Sequence, residues 1–363
     1  MNEKSFAQPV NINAQQIVHT EIKRYSPQFL VVLSVSLISL IISIMLATGI
    51  GSVQVSMSDI FQTLFSCNDD LAVCAVSEVN QKIIWEIRLP RILMALLTGA
   101  GLSMCGAVLQ AVTRNPLADP YLFGISAGSS LGAVIVMAGI SSAIISITMG
   151  ALIGGIFSVA LMLILAGKSA FNVERLLLSG VAVSFMLSAF TSLILYYSDP
   201  DTAATVLFWM MGSFSNSQWS EMWLPVSMLL IGVAFVFTFR RWLAALQAGD
   251  ESALTLGIPV SQLRLAMLIA CAMVTAVLVA HVGGIGFVGL MIPHISRYIV
   301  GAQIHRVLMM SLILGGTFMI WVDVIARSVL MHQVLPVGIV TSAAGSLFFF
   351  VILKHRSQSD SVD

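Results

Sequence analysis

Ten apolar runs of near-spanning length divide this chain, at residues 29–50, 92–112, 121–140, 143–166, 176–197, 222–239, 263–281, 285–300, 307–325 and 334–353. A bilayer core of about 30 Å calls for roughly 20 predominantly apolar residues per helix, and only helices or closed barrels satisfy every backbone polar group in lipid. Runs of this length select helices. The chain is therefore expected to be an all-α polytopic membrane protein with ten transmembrane helices over residues 29–353, a polar N-terminal tail at 1–28 and a C-terminal tail at 354–363. Composition agrees: 9% of residues are charged, where a soluble domain carries about 25%. The first 28 residues are polar and the run from Phe29 to Ile50 is too long for a cleaved leader, so the first helix is expected to be its own insertion signal. The eighth run is short and glycine-rich, which predicts a broken or re-entrant helix shielded by protein.

Orientation follows from the basic residues. With the N-terminus in the cytoplasm, thirteen of the 17 Lys and Arg fall inside and both tails are cytoplasmic. The four left outside are Lys82, Arg88, Arg91 and Arg327. Three arginines at the outer ends of helices 2 and 9 admit two readings: snorkelling or pairing with Glu86 or Asp323, and an external patch for an acidic partner.

One polar interruption between spans, Arg240 to Arg264, lies inside the cell in this topology. It reads as two short amphipathic helices, Trp242 to Ala248 with Leu243 and Leu246 on one side, and Glu251 to Leu256, separated by Gly249. Asp250 stands at an N-cap position, Gly257 offers a left-handed stop and Pro259 forbids continuation. Helices this short do not persist alone in water, so membrane helices or a partner must hold them.

On the outer side, Asp199 and Asp201 open an amphipathic segment in which Leu207, Phe208 and Met211 recur at helical spacing, fit to line a vestibule or, with Trp209 and Trp219, to anchor at the interface. Cys67 and Cys74 bracket a polar hexapeptide in the first outer loop. They are either a disulfide or two free thiols, and Cys105 and Cys271 lie inside apolar runs.

Several short motifs fail on context. Gly284, Gly286 and Gly289 match a dinucleotide fingerprint by letter but precede an apolar span, so a helix break or close packing is expected. Gly167-Lys168-Ser169 ends like a phosphate loop, yet Met162 stands where its first glycine belongs. Gly124-Ile-Ser126-Ala-Gly128 spells a nucleophile elbow with no strand before it, and Gly124, Gly128 and Gly132 describe a packing face instead. His281 and His294 lack a second ligand at metal spacing. No metal or cofactor is expected on this chain.

From Arg88 to Gly132 the sequence RLPRILMALLTGAGLSMCGAVLQAVTRNPLADPYLFGISAGSSLG closely resembles the permease subunits of ABC importers for iron chelates, haem and vitamin B12. GDESALTLGI, GGIGFVGLMIPHISRYIVG and DVIARSVLMHQVLPVGIVTSAAG continue the likeness in order, so it covers about residues 80 to 353. The resemblance implies a ten-helix permease with an inverted repeat of helices 2–5 and 7–10. It implies a dimer with a second permease subunit, identical or related, worked by cytoplasmic ATPase subunits that use ATP and Mg and fed by an extracytoplasmic substrate-binding protein. By it, Asp250, Glu251, Ser252, Ala253, Leu254, Leu256 and Gly257 match the coupling helices that meet the ATPase. Arg88, Arg91 and Arg327 match the arginines that receive the binding protein. Asn115 and Leu117 match positions near a cytoplasmic gate, and Asn115-Pro116 also reads as a plain helix stop. Gly345-Ser-Leu-Phe and Val173-Glu174 depart from the family's pattern. The expectation is a permease in a bacterial cytoplasmic membrane, without a catalytic residue or nucleic-acid partner, carrying a metal chelate, a ferric siderophore first and haem or cobalamin next. A secondary transporter would instead need ionisable groups within its spans, and an intramembrane hydrolase would use Ser126.

Overall fold

A computed structural model describes residues 27–51, 55–65, 76–139, 145–167, 173–330 and 333–359. Its helices are α1 (Pro27–Gly49), α2 (Met57–Phe65), α3 (Glu78–Thr113), α4 (Ile125–Met137), α5 (Ile147–Ala166), α6 (Val173–Tyr197), α7 (Pro200–Met210), α8 (Trp223–Thr238), α9 (Arg240–Ala248), α10 (Asp250–Thr255), α11 (Val260–Val282), α12 (Val288–Val300), α13 (Ile304–Ser328) and α14 (Val337–Ser359). Among the described residues, seven helices are long and apolar enough to cross a membrane, and α4, α12 and the apolar part of α14 are shorter. These ten stand where the ten apolar runs predict them. The third run is a correction: residues 120–123 form a 3-10 turn, Gly124 takes a left-handed φ of 75°, and only 13 residues of α4 remain.

Helix starts are set locally. Ser77, Ser146 and Asp199 accept backbone N–H groups at the openings of α3, α5 and α7, and Pro200 fits the first turn of α7, where an N–H would be unpaired anyway. Inside α3, Pro90 cannot donate, and residues Ile83–Arg88 widen into a π-helical turn in which the Leu89 N–H reaches back to Ile84 O.

The centre of the molecule is α3, buried from Arg88 to Val112 between α11, α12 and α13. Two methyl-free crossings make that packing close. A Cβ at Gly99 would collide with the Gly315 carbonyl of α13, and one at Gly106 with the Gly289 carbonyl of α12. Small residues are what allow helix backbones to meet in a lipid environment where no hydrophobic force separates apolar side chains from apolar tails. Gly128 and Gly132 of α4 meet Gly154 and Gly150 of α5 in the same way, which is the packing face the sequence predicts in place of a nucleophile elbow.

Contacts between named residues give the sense of each helix. Cys105 lies by Cys271, and Arg264 reaches Val112, so α3 and α11 are antiparallel. The first half runs long, 13, long, long through α3 to α6, and the second repeats the order through α11 to α14, with α12 again 13 residues. Both short helices follow a left-handed residue, Gly124 before α4 and Phe287 before α12. This is the inverted repeat of helices 2–5 and 7–10. The irregular backbone before α12 is held by protein: Tyr121 Oη accepts from Ile285 N at 2.9 Å, Ser213 N donates to Val282 O at 2.9 Å, and Val337 N donates to Gly212 O at 2.9 Å.

Candidate functional site

Charged residues gather at the two ends of the buried stretch of α3, at Arg88 and Arg114, roughly 40 Å apart at 1.5 Å per residue. That separation is close to the thickness of a bilayer with its headgroups.

At the Arg88 end the three arginines found by the charge census converge, and all are turned inward. Arg88 and Arg91 are 4% and 9% exposed. Arg91 Nε donates to Asp323 Oδ1 at 2.8 Å and its Nη1 to Ser215 Oγ at 3.2 Å, while Arg327 Nε lies 3.4 Å from Asp323 Oδ2. Arg88 Nη1 donates to Thr48 O at 2.5 Å and Gly49 O at 3.1 Å, and Arg327 Nη2 to Ala47 O at 2.6 Å. Those carbonyls belong to the last turn of α1, where a helix leaves acceptors unpaired and its dipole favours cations. The arginines therefore cap α1 as well as bind Asp323. Of the two pairings open from the sequence, Asp323 is the one formed; Glu86 is exposed. Among the described residues, Arg91 and Arg327 share the one carboxylate of Asp323, and Arg91 Nη2 has no hydrogen-bond partner there. Trp219 Nε1 donates to Trp85 O at 2.7 Å and ties this end of α3 to the start of α8, while the Trp219 side chain stays partly exposed.

Beside this end lies a cavity of about 600 Å³ lined by Thr205, Phe208, Trp209, Asn216, Glu221 and His281, among others. The His281 Nδ1 is 2.7 Å from Val277 O, a bond within its own helix. Among the described residues no three His, Cys, Asp or Glu side chains stand close enough to hold a metal. On α7, Leu207, Phe208 and Met211 are exposed, Phe208 and Trp209 line this cavity, and Val206 packs inward.

The Arg114 end carries the polar island. Two helices form where the sequence predicts them, with Leu243, Leu246 and Ala253 fully buried against the bundle and Gly257 left-handed at φ 74°. One detail is corrected. Gly249 is the cap of α10, and Asp250 is its first helical residue with its carboxylate engaged elsewhere. Arg264 Nη2 donates to Asp250 Oδ1 at 2.9 Å and Oδ2 at 3.1 Å, and Arg114 Nη2 lies 3.2 Å from Oδ1. Glu251, Ser252, Leu254 and Leu256 stay exposed, the two leucines by 59% and 71%. Asn115 accepts from Leu117 N at 2.9 Å, an Asx turn that stops α3 after the left-handed Arg114. A cavity of about 920 Å³ brings Asn115 together with Arg114, Asp250, Leu254 and Arg264; Leu117 is exposed nearby and does not line it.

Sequence reasoning missed Arg114 and Arg264 as partners of Asp250, although both flank singled-out segments. It also missed Asp119, buried below the Asx turn, whose Oδ1 accepts from Tyr121 N at 2.8 Å. Burial pushes its carboxyl up to about 6. Gln110 and Arg297 form a further buried link, Gln110 Nε2 donating to Gly289 O at 3.1 Å and Arg297 donating to Gln110 Oε1. Cys67 and Cys74 lie outside the described residues.

Comparison with known proteins agrees with this architecture. The FecCD transport family model matches residues 39–355. A cobalamin import permease of Halobacterium salinarum is 37% identical over 283 residues, 77% of this chain and 76% of its own. An Fe(3+)-citrate import permease of Bacillus subtilis is 33% identical over 336 residues, 92% of this chain and 97% of its own. A solved inward-facing ABC transporter of metal-chelate type superposes with a TM-score of 0.77 at 30% identity, covering 89% of this chain and 99% of that one. With its family matched over most of its length, its repeat of long and short helices and its glycine-packed central helix, the chain belongs to the FecCD transport family and is a permease of an ABC importer.

Proposed function

We propose that this chain is the membrane-spanning half of an ATP-driven importer of a metal chelate, a ferric siderophore first and haem or cobalamin as alternatives. The observation that carries the reading is the pair α9–α10, packed to the bundle through Leu243, Leu246 and Ala253 while presenting Glu251, Leu254 and Leu256 outward. Such a face fits a partner that supplies mechanical work. ATP and Mg belong to that partner, a cytoplasmic ATPase, and energy reaches this chain through protein contact alone.

The Arg88 end is then outside the cell, both tails are cytoplasmic, and the guanidinium groups gathered around Asp323 suit acidic residues of a substrate-binding protein. Docking there requires Arg88 or Arg327 to exchange a helix-end carbonyl for an incoming carboxylate, a stronger acceptor. A second permease subunit, identical or related, and membrane lipid cover the apolar faces of α6 and α14, on which Phe185, Tyr196 and Phe350 are exposed. Asn115 and Leu117 sit at the inner exit.

Reconstitution with the cognate ATPase and binding protein in proteoliposomes tests the reading. Uptake of at least one of ferric siderophore, haem or cobalamin is expected to require ATP hydrolysis. Uptake that proceeds at the same rate with hydrolysis blocked by vanadate would return the chain to the class of secondary transporters.

A further inference from the structure

We infer that Asp250 is a positioning residue that joins the coupling helix to the gate, and does not itself contact the ATPase. This rests on the reading of α9–α10 as the ATPase seat and assigns a part within it.

The observations are geometric. A helix of six residues needs an external hold, and Ala253 supplies only one buried methyl. Asp250 supplies the rest by facing away from the exposed leucines. Both of its oxygens take Arg264, which is 8% exposed at the start of α11 and whose Nε points to Val112 O at 3.4 Å. Its Oδ1 also takes Arg114, the left-handed residue that ends α3 directly before Asn115. One carboxylate therefore links α10 to the end of α3 and the start of α11, the first helices of the two repeat halves.

Charge accounts for the choice of groups. Arg114 and Arg264 would repel across the cavity without an anion between them. The neighbouring Glu174 and Arg175 on α6 line the same cavity and have interactions of their own. Asp250 and Arg114 are 36% and 47% exposed, so their pair can shift without stranding a charge, while the bidentate pair with the 8% exposed Arg264 stays made. Displacement of α10 by a partner seated on Leu254 and Leu256 thus pulls Arg114, and with it the turn at Asn115 and Leu117.

The test uses the complete transporter in proteoliposomes with Leu117→Cys as a reporter, its maleimide labelling followed by peptide mass spectrometry in nucleotide-free and vanadate-trapped states. With Asp250 intact, the labelling rate is expected to differ between the states. In Asp250→Asn the ATPase is expected to remain attached and hydrolyse ATP while that difference is lost, and Asp250→Glu should recover part of it. An Asp250→Asn complex that keeps the full difference overturns the proposal, as does one that sheds its ATPase, which would make Asp250 a contact. If Asp250→Asn does not accumulate, Arg114→Gln removes one arm of the joint, and an unreduced difference there overturns it equally. No state dependence with Asp250 intact overturns transmission to the end of α3. Leu254→Asp with Leu256→Asp addresses the underlying reading separately: the ATPase is expected to be lost, and its retention with normal hydrolysis and labelling removes the seat itself.

Discussion

The two ends of α3 use the same chemistry, arginines around one aspartate, to opposite effect. At the Arg88 end the aspartate is fully buried and its arginines also cap α1, so the cluster is part of the fold. At the Arg114 end the aspartate is a third exposed and faces a cavity of about 920 Å³, so the cluster stays within reach of solvent. Burial decides the difference. Removing one partner of a buried ion pair costs about 3–5 kcal/mol because the other charge is stranded, whereas a solvated pair contributes about 0–1 kcal/mol and can be exchanged.

The largest effect is expected from the strut between the ends. Gly99→Val would force a branched side chain into the Gly315 carbonyl, and no folded permease should be recovered in detergent by size-exclusion chromatography. Asp323→Asn comes next. It leaves Arg91 and Arg327 facing each other in the interior, and thermal unfolding should reveal a loss of about 3–5 kcal/mol, with a smaller loss for Asp250→Asn, whose carboxylate and Arg114 partner are solvated. Equal losses at the two ends would erase the distinction drawn between them. Ala253→Pro removes the N–H that donates to Gly249 O and should cost about 3 kcal/mol locally in α10; hydrolysis should continue with uptake lost. Coupled uptake at the normal ratio would count against α10 as a moving part.

A smaller effect is expected from Arg88→Gln, which spares the Asp323 pairs. Pull-down with the binding protein should weaken, and unchanged docking would leave Arg88 with its capping role alone. The smallest involves Asp119. Its folded carboxyl titrates near 6, above the unfolded range, so the folded state takes up the proton first and stability falls as pH rises between about 4 and 6. The slope is at most about 1.4 kcal/mol per pH unit. Asp119→Asn should flatten it, narrowing the difference in thermal midpoint between pH 5 and pH 7.5.

Much of this was legible without coordinates, for reasons that differ by region. Spans are legible because a membrane demands length and apolarity from contiguous residues. The three arginines stand out because they violate the charge asymmetry that thirteen of the 17 basic residues follow. What stayed hidden is who pairs with whom: Arg91 and Asp323 are 232 residues apart. The same limit explains Asp250. A capping rule sees four residues ahead, while the guanidinium that claims the carboxylate lies 14 residues on, at a place fixed by the packing of α11. The truncated α4 was hidden for another reason, because the run from 121 to 140 is apolar enough to span and the left-handed Gly124 and Gly139 shorten the helix at both ends.

That shortening bears on how the chain enters a membrane at all. A helix of 13 residues is about 20 Å long, too little to cross the hydrocarbon layer or to be recognised as a span by the insertion machinery on its own strength. α4 and α12 must therefore be carried in by neighbours, α4 by the glycine-seamed hairpin it forms with α5, and α12 by α3, which has been synthesised long before. Biogenesis of the second half thus waits on the first, and truncation after residue 282 should leave an inserted but incomplete protein, whereas a fragment beginning there would lack the helix it needs to enter the lipid.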